Sequence, residues 1–430
     1  MKASKKLRIG IVGAGFTGLT AGYRLLKSKS CEVCIFEQSK LPGGLAVGFK
    51  NSAWDWSLEH HYHHIFTSDK DIIALGRELG VEFKFYRPNT SSLVGANILQ
   101  LDSPLKLLQF EKLSIWERLR MGAVLFYLKF LGNFKYLEKF ETHDFLRKTM
   151  GEKAYKMLWE PLLMSKFGPF YKEIALSWFY ARIKARTTKL GYPDNGFMNL
   201  AKRLAQEVVR LNGHIEYESK VTKITMEDGY PVIYYGDKAK QFDKVIFTGP
   251  NFLFASLAPQ LSESYKKQLL DFKGIGALNI VLELDKPFFR DNVYWLSVCN
   301  KDYPFLAVVE HTNFISKEHY NNKHIVYIGN YLQKEHEFFK KGKDELLNIY
   351  KPYLKKINPD YEKNIINSYM FSVPFAQPIV NKNFSKKIMP HKTPLSGVFL
   401  ANMQQVYPWD RGTNFAVAMG NDVSELVLHD

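Results

Sequence analysis

The stretch "LRIGIVGAGFTGLTAGYRLL", Leu7 to Leu26, constrains this chain more than any other. An apolar run breaks at glycines and resumes at helical spacing, which reads as a buried strand, a tight turn and a helix. Gly13, Gly15 and Gly18 complete the pattern G-x-G-x-x-G. In such a unit the first glycine permits the turn, and the second lets a diphosphate approach the backbone. The third lets the helix pack closely on the strand, and the helix start offers free N–H groups to phosphate. A second apolar run, "CEVCIFE", ends in Glu37, about 20 residues on, where an acidic side chain takes ribose hydroxyls. A glycine turn without a ligand would carry the same letters; the strand–turn–helix context favours a dinucleotide.

NAD and FAD share that fingerprint. The run "EQSKLPGGLA" adds a glycine pair, Gly43 and Gly44, directly after the acid. A second close backbone approach suits the longer FAD. At the other end, "SGVFLANMQQVYPWDRGTNFAVAMGNDVSELVLHD" reads as strand, loop and helix. The segment Arg411, Gly412, Thr413, Asn414 opens that helix, and its N–H groups suit the pyrimidine edge of a flavin. An ordinary helix start would read the same.

Composition bounds the rest. With 430 residues, 46% hydrophobic and 15% aromatic, the chain is globular and long enough for two or three domains. Its net charge of +16 favours an anionic partner, either a phosphate-bearing ligand or a membrane face. No nucleic-acid-binding pattern is present, so that partner is not expected. Three cysteines make no disulfide framework and fit a reducing compartment. Cys31 and Cys34 have redox-motif spacing, but in a strand they point to opposite faces, so they are packing residues. The N-terminus is basic and then apolar, as signal peptides are, yet glycines interrupt it and it flows into the first strand. No apolar run is long enough to span a bilayer. The expected location is the cytoplasm, in solution or at the inner face of the membrane.

These motifs, in this order, resemble the flavin-containing amine oxidase superfamily, which includes protoporphyrinogen oxidases and phytoene desaturases. The resemblance rests on the N-terminal fingerprint with "FEQSKLPGG", on "GYPDNGFMNLAKRLAQEVVRLNGHIEYESKVTKI", and on the C-terminal helix. The segments "YPVIYYGDKAKQFDKVIFTGP" and "SVPFAQPIV" also resemble family segments. The resemblance touches most of the chain, most closely at its ends. It implies an α/β fold: a Rossmann-like FAD domain built from 1–70, 191–251 and 392–430, interleaved with a substrate domain at 252–391. It also implies that the backbone at Val221 contacts the adenine.

Between 71 and 190 the sequence turns helical, with apolar and aromatic residues at helical spacing and cations between them. This lobe either packs on the FAD domain or lies partly in a membrane interface as a peripheral element. Arg182, Lys184, Arg186 and Lys189 form a basic run that suits a phosphate or simply a solvated helix face.

One stretch, "EHHYHHIFTSD" from Glu59 to Asp69, puts four histidines in five positions. As a strand, His61 and His63 would share one face in a metal-ligand spacing, but no third ligand is apparent beyond Glu59. The competing readings are a polar strand and a wall of the flavin pocket; the last is preferred, and no metal is expected. "HHIFTSDK" resembles the UDP-galactopyranose mutase segment with a His-Ile-Phe-His-Thr core, except that Thr67 replaces the second histidine. His64 matches the leading histidine and, with Arg411, is the expected catalytic residue. Two functions stay open. One is an FAD-dependent oxidoreductase that takes a hydride from a small, apolar or lipid-linked substrate. The other is a non-redox flavin mutase of a sugar nucleotide. A flavin-binding partner protein without activity ranks below both.

Overall fold

The computed structural model describes residues 6–100 and 103–430. A five-stranded parallel sheet organises the nucleotide half, in the order His214–Glu216, Cys31–Phe36, Leu7–Val12, Lys244–Phe247, Val398–Leu400. Its central strands are nearly continuous apolar runs because both faces are covered: Ile9, Ile11 and Ile35 pack with helices, and Cys34, Phe36 and Val245 pack with Ile224, Ile233 and Phe242. Cys31 and Cys34 are buried and unpaired within it. Helices Phe16–Lys27, Phe197–Arg210 and Thr413–His429 belong to this half. At Gly420 the last helix comes so near the first that a Cβ would meet the Thr17 carbonyl oxygen at 2.7 Å. A three-stranded antiparallel meander spans Val221–Glu227, Tyr230–Tyr235 and Lys238–Gln241.

A seven-stranded mixed sheet forms the second layer, ordered Ile365–Pro378, Gly274–Leu284, His324–Leu332, Ala307–Glu310, Val293–Val298, Asn89–Val94, Asn97–Gln100. Its last two strands correct the expectation of helix from 71 onward. Residues 83–86, 89–94 and 97–100 are strands, and the last two runs extend the substrate-side sheet. These runs are short and weakly alternating, so pairing with Val293–Val298 decides their state where local pattern does not.

Helices follow from Ser103 onward. Ser114 opens Ile115–Phe126 with a reciprocal cap: its hydroxyl accepts the Glu117 N–H, while the Glu117 carboxylate accepts the Ser114 N–H at 2.7 Å. Leu128, Leu146, Tyr155, Phe167 and Trp178 pack this lobe's core.

Candidate active site

The glycines divide by what demands them. Gly13 has φ +106°, which disfavours any side chain, and a Cβ on Gly18 would collide with the Gly13 carbonyl oxygen. The protein's own packing therefore requires both. Gly15 differs: its φ is −75°, and the nearest atom to a Cβ there would be Gly44 Cα at 3.7 Å, an ordinary contact. Nothing in the fold forbids a side chain at Gly15, so its lack of one fits a ligand that must approach the backbone. Gly44 faces it at φ +58°. Gly43 (φ +121°) pairs with Gly15 as an isolated bridge. Gly15 also starts helix Phe16–Lys27 without a side-chain cap, which leaves the first-turn N–H groups free for an anion.

Glu37 stands at the carboxyl end of the second strand, with its carboxylate buried against the turn. One oxygen accepts the Ala14 N–H at 2.8 Å and the other the Ser39 N–H at 2.9 Å. Each oxygen keeps a further lone pair, and the two bonds fix its direction. The Ser219 N–H donates to the Glu37 carbonyl at 2.8 Å, which brings the chain entering Val221 to the same end of the sheet. Gly13, Gly15, Gly18, Glu37, Gly43, Gly44 and Val221 thus converge at one end of the parallel sheet, and they fit a dinucleotide.

Gly412 starts the last helix, again without a side-chain cap. Asn414 is buried, and its side-chain oxygen is already committed. It accepts the N–H groups of Asp71 (2.9 Å) and Ile72 (3.1 Å) and so caps helix Lys70–Glu78. What remains of Gly412, Thr413 and Asn414 for a ligand is chiefly backbone N–H. Arg411 turns the other way and donates to the Tyr331 hydroxyl.

The histidine stretch is not the strand that an H-x-H ligand pair needs. It runs irregularly between two-residue strands at Leu58–Glu59 and Ile65–Phe66. The four imidazoles take four different partners. His60 stacks on Phe371 at 4.0 Å, and His61 Nδ1 accepts from Asn279 Nδ2 at 2.7 Å. His63 Nδ1 donates to the His61 carbonyl at 2.6 Å, and His64 Nδ1 bonds the Tyr294 hydroxyl at 3.1 Å. His61 and His63 are therefore opposite tautomers, protonated on Nε2 and Nδ1 respectively. Among the described residues, no group of three or more His, Cys, Asp or Glu side chains is placed to hold a metal.

His61, Tyr62, His63 and His64 are half-buried, with protein packed densely around them. Burial, reinforced by His63 and Arg411, pushes His61 down to about 3. Burial and Arg411 bring His63 to about 4 despite the bond to the His61 carbonyl. Burial, with Arg186, His63 and Arg182, pushes His64 to about 3. All three are neutral near pH 7, an uncharged polar wall. Beneath them lies Glu59, raised to about 7 by burial although the Tyr192 hydroxyl (2.5 Å) and the Phe197 N–H (2.8 Å) donate to it.

Within electrostatic reach of these histidines stand residues that no motif marks. Arg182 Nη1 pairs with Asp410 at 2.8 Å, and Lys166 Nζ lies 3.6 Å from the same oxygen. The Gln377 amide donates to the other Asp410 oxygen at 3.1 Å. Lys166 and Arg411 lie over the Tyr331 ring, at 5.2 and 5.4 Å from its centroid. Lys166, Asp410 and Tyr331 carried no sequence signal beyond the proximity of Asp410 to Arg411. Of the basic run, Arg182 reaches this group.

A family model for flavin-containing amine oxidoreductases matches residues 16–409. The chain belongs to that family. No curated protein matches the sequence, but solved structures share the fold over the whole chain. A candidate protoporphyrinogen oxidase from Exiguobacterium sp. 255-15 superposes with TM-score 0.78 at 16% identity, covering 100% of both chains. Cyclohexylamine oxidase from Brevibacterium oxydans IH-35A gives 0.75 at 14%, covering 99% of each. Reduced UDP-galactopyranose mutase gives 0.75 at 12%, over 99% of this chain and 94% of that one. This flavin-containing oxidoreductase is thus an FAD-dependent enzyme.

Proposed function

We propose that the enzyme holds FAD along Gly15, Gly44, Glu37 and Val221, with the flavin edge at the backbone of Gly412, Thr413 and Asn414. In this reading an apolar or lipid-linked substrate is oxidised between His64 and Arg411. Bound FAD supplies the hydride acceptor. The chain's part is to bind, orient and exclude water: His64 is fixed by Tyr294, and Phe66 and Trp295 flank it at 5.6 and 5.9 Å. The observation that carries the reading is that Arg411, whose charge reaches His61, Tyr62 and His63, immediately precedes the uncapped start of the last helix. A groove of about 300 Å³ bordered by Phe167, Ile275, Phe305, Tyr331 and Phe338 serves as the way in.

The test is anaerobic incubation of the yellow protein with candidate lipids and with sugar nucleotides. Lasting bleaching of the flavin by a lipid is expected. Rearrangement of a sugar nucleotide without net redox change would replace this reading with a mutase. His64→Ala should keep FAD, shift its absorption and slow substrate-dependent reduction; an unchanged spectrum and rate would remove His64 from the site.

We further propose that the helical lobe meets an anionic membrane surface. Leu105, Trp116, Phe126, Phe130 and Leu131 are each more than half exposed, at 72, 78, 57, 62 and 67%. Exposed Lys106, Lys112, Lys135 and Lys139 flank them. Apolar side chains ringed by lysines suit the interface of an anionic bilayer. No helix among the described residues is long and apolar enough to cross a membrane. Sedimentation with anionic vesicles should show binding that weakens with salt and is lost in Trp116→Glu/Phe130→Glu. Equal binding to neutral vesicles would refute the electrostatic part.

A further inference from the structure

Lys166, Arg182 and Arg411 surround a single carboxylate, Asp410. Burial alone would raise that carboxyl, yet the three cations hold it below the ordinary carboxylate range. With Asp410 as their carboxylate partner, Arg182 and Arg411 leave an excess of positive charge even before Lys166 takes a proton, and buried charge without a partner is costly. Arg411 shows the imbalance most directly. Its side chain bonds only a neutral hydroxyl, that of Tyr331, and among the described residues its buried Nε has no hydrogen-bond partner. Lys166 Nζ approaches Asp410 without reaching hydrogen-bond distance and otherwise rests over the rings of Phe167, Trp178 and Tyr331.

We propose that this cluster binds an oxyanion of the substrate, a phosphate, diphosphate or carboxylate group, so that the enzyme acts on an acidic molecule and excludes cationic amines. The inference deepens the proposed function and rests on it, since it assigns the charged end of the molecule oxidised at the same site. Arg411 offers a planar guanidinium whose Nε and neighbouring Nη can meet two oxygens at once, the geometry an oxyanion fills best. Lys166 and Arg182 come from the helical lobe, and Arg411 comes from the segment before the last helix. The group is therefore gripped between the two halves. The neutral histidines add no competing charge, while a protonated amine would meet net repulsion at short range. A lipid-linked acid would place its apolar body along the groove and its anionic head here.

Lys166 supplies an independent readout. Burial brings it down to about 7, against the pull of Asp410 and with the push of Arg182 and Arg411. An added oxyanion favours its charged form, so binding near pH 8 should take up a proton.

The experiment is calorimetric titration of the purified holoenzyme with inorganic phosphate, pyrophosphate, a short fatty acid carboxylate and tetramethylammonium, with FAD content measured on the same preparation. Saturable binding of at least one oxyanion and none of the ammonium ion is expected; whichever oxyanion binds tightest names the source. Running it at pH 8 in two buffers of different ionisation heat should reveal proton uptake. Arg411→Met and Lys166→Met should each weaken the oxyanion about tenfold or more, and Lys166→Met should abolish the proton uptake. Failure of every oxyanion to bind, preference for the ammonium ion, or unchanged affinity in folded variants would overturn the proposal. The wild-type titration decides it even if a variant does not fold. A protein that neither contains nor takes up FAD would instead refute the cofactor reading, so the two failures are separable.

Discussion

Gly15→Ala is expected to give a folded but colourless protein. The alanine methyl would lie no closer than 3.7 Å to Gly44 Cα at a φ of −75°, so the polypeptide accommodates it. The diphosphate of FAD does not, because the methyl occupies the face where phosphate oxygens must meet the backbone N–H groups. Affinity for FAD should fall by more than about tenfold, ~1.4 kcal/mol, with the far-ultraviolet spectrum unchanged. Gly18→Ala makes the contrast. Its methyl would run into the Gly13 carbonyl, so it should destabilise the protein itself by ~3 kcal/mol, with or without cofactor. Absorbance at purification together with urea unfolding of both apoproteins separates the effects. If Gly15→Ala retains stoichiometric FAD, the diphosphate does not lie at Gly15.

Acid should unfold this protein well before most carboxylates titrate. His61, His63, His64 and His311 are each pushed by burial to between about 3 and about 4 in the folded state. Their unfolded value is 6.5. A group depressed on folding contributes stability above its unfolded value and loses it as pH falls toward its folded value. Glu59 and Asp69 work in the opposite direction. Burial raises them to about 7 and about 6, so their contribution is present at low pH and is lost as pH rises. Between pH 6.5 and 4.5 the unfolded chain therefore takes up as many as four protons on the histidines. The folded chain already holds up to two on the carboxyls. A net of about two protons corresponds to ~3 kcal/mol lost per pH unit, against a total stability on the order of 5–15 kcal/mol. Thermal melts should drop steeply below pH 6. Glu59→Gln should remove part of the opposing slope and make the decline with acid steeper. Melting temperatures that stay level from pH 7 to 5 would mean that the histidines are not buried neutral.

The nucleotide half was legible because its physics is local. Strand, turn and helix at Leu7–Lys27 and the acid at Glu37 lie within a few dozen residues, and the demands on Gly13 and Gly18 are backbone demands that no distant contact can relax. The strands Gly274–Leu284 and His324–Leu332 are likewise built from local apolar runs, and helix Lys343–Ile357 from local helical spacing. The short strands at 89–100 did not, because a weak pattern takes its state from the neighbour it pairs with.

The histidines mark where local reading ends. Four imidazoles in a row raised the question of metal or pocket, and spacing alone could not answer it. Phe371, Asn279 and Tyr294, the partners of His60, His61 and His64, come from a sheet more than two hundred positions away; those contacts make the rings diverge, and burial keeps His61, His63 and His64 neutral. Asn414 likewise looked like a ligand group, and it also caps a helix 343 positions earlier in the chain. The charge cluster at Asp410 is the furthest from the sequence. Arg182 and Asp410 are 228 positions apart, and neither is informative until the fold sets them 2.8 Å apart beside Lys166 and Arg411. Turn geometry is fixed by the residues in the turn, whereas a pKa or the sign of a pocket sums over every group within a few ångströms, and only the tertiary structure determines which groups those are.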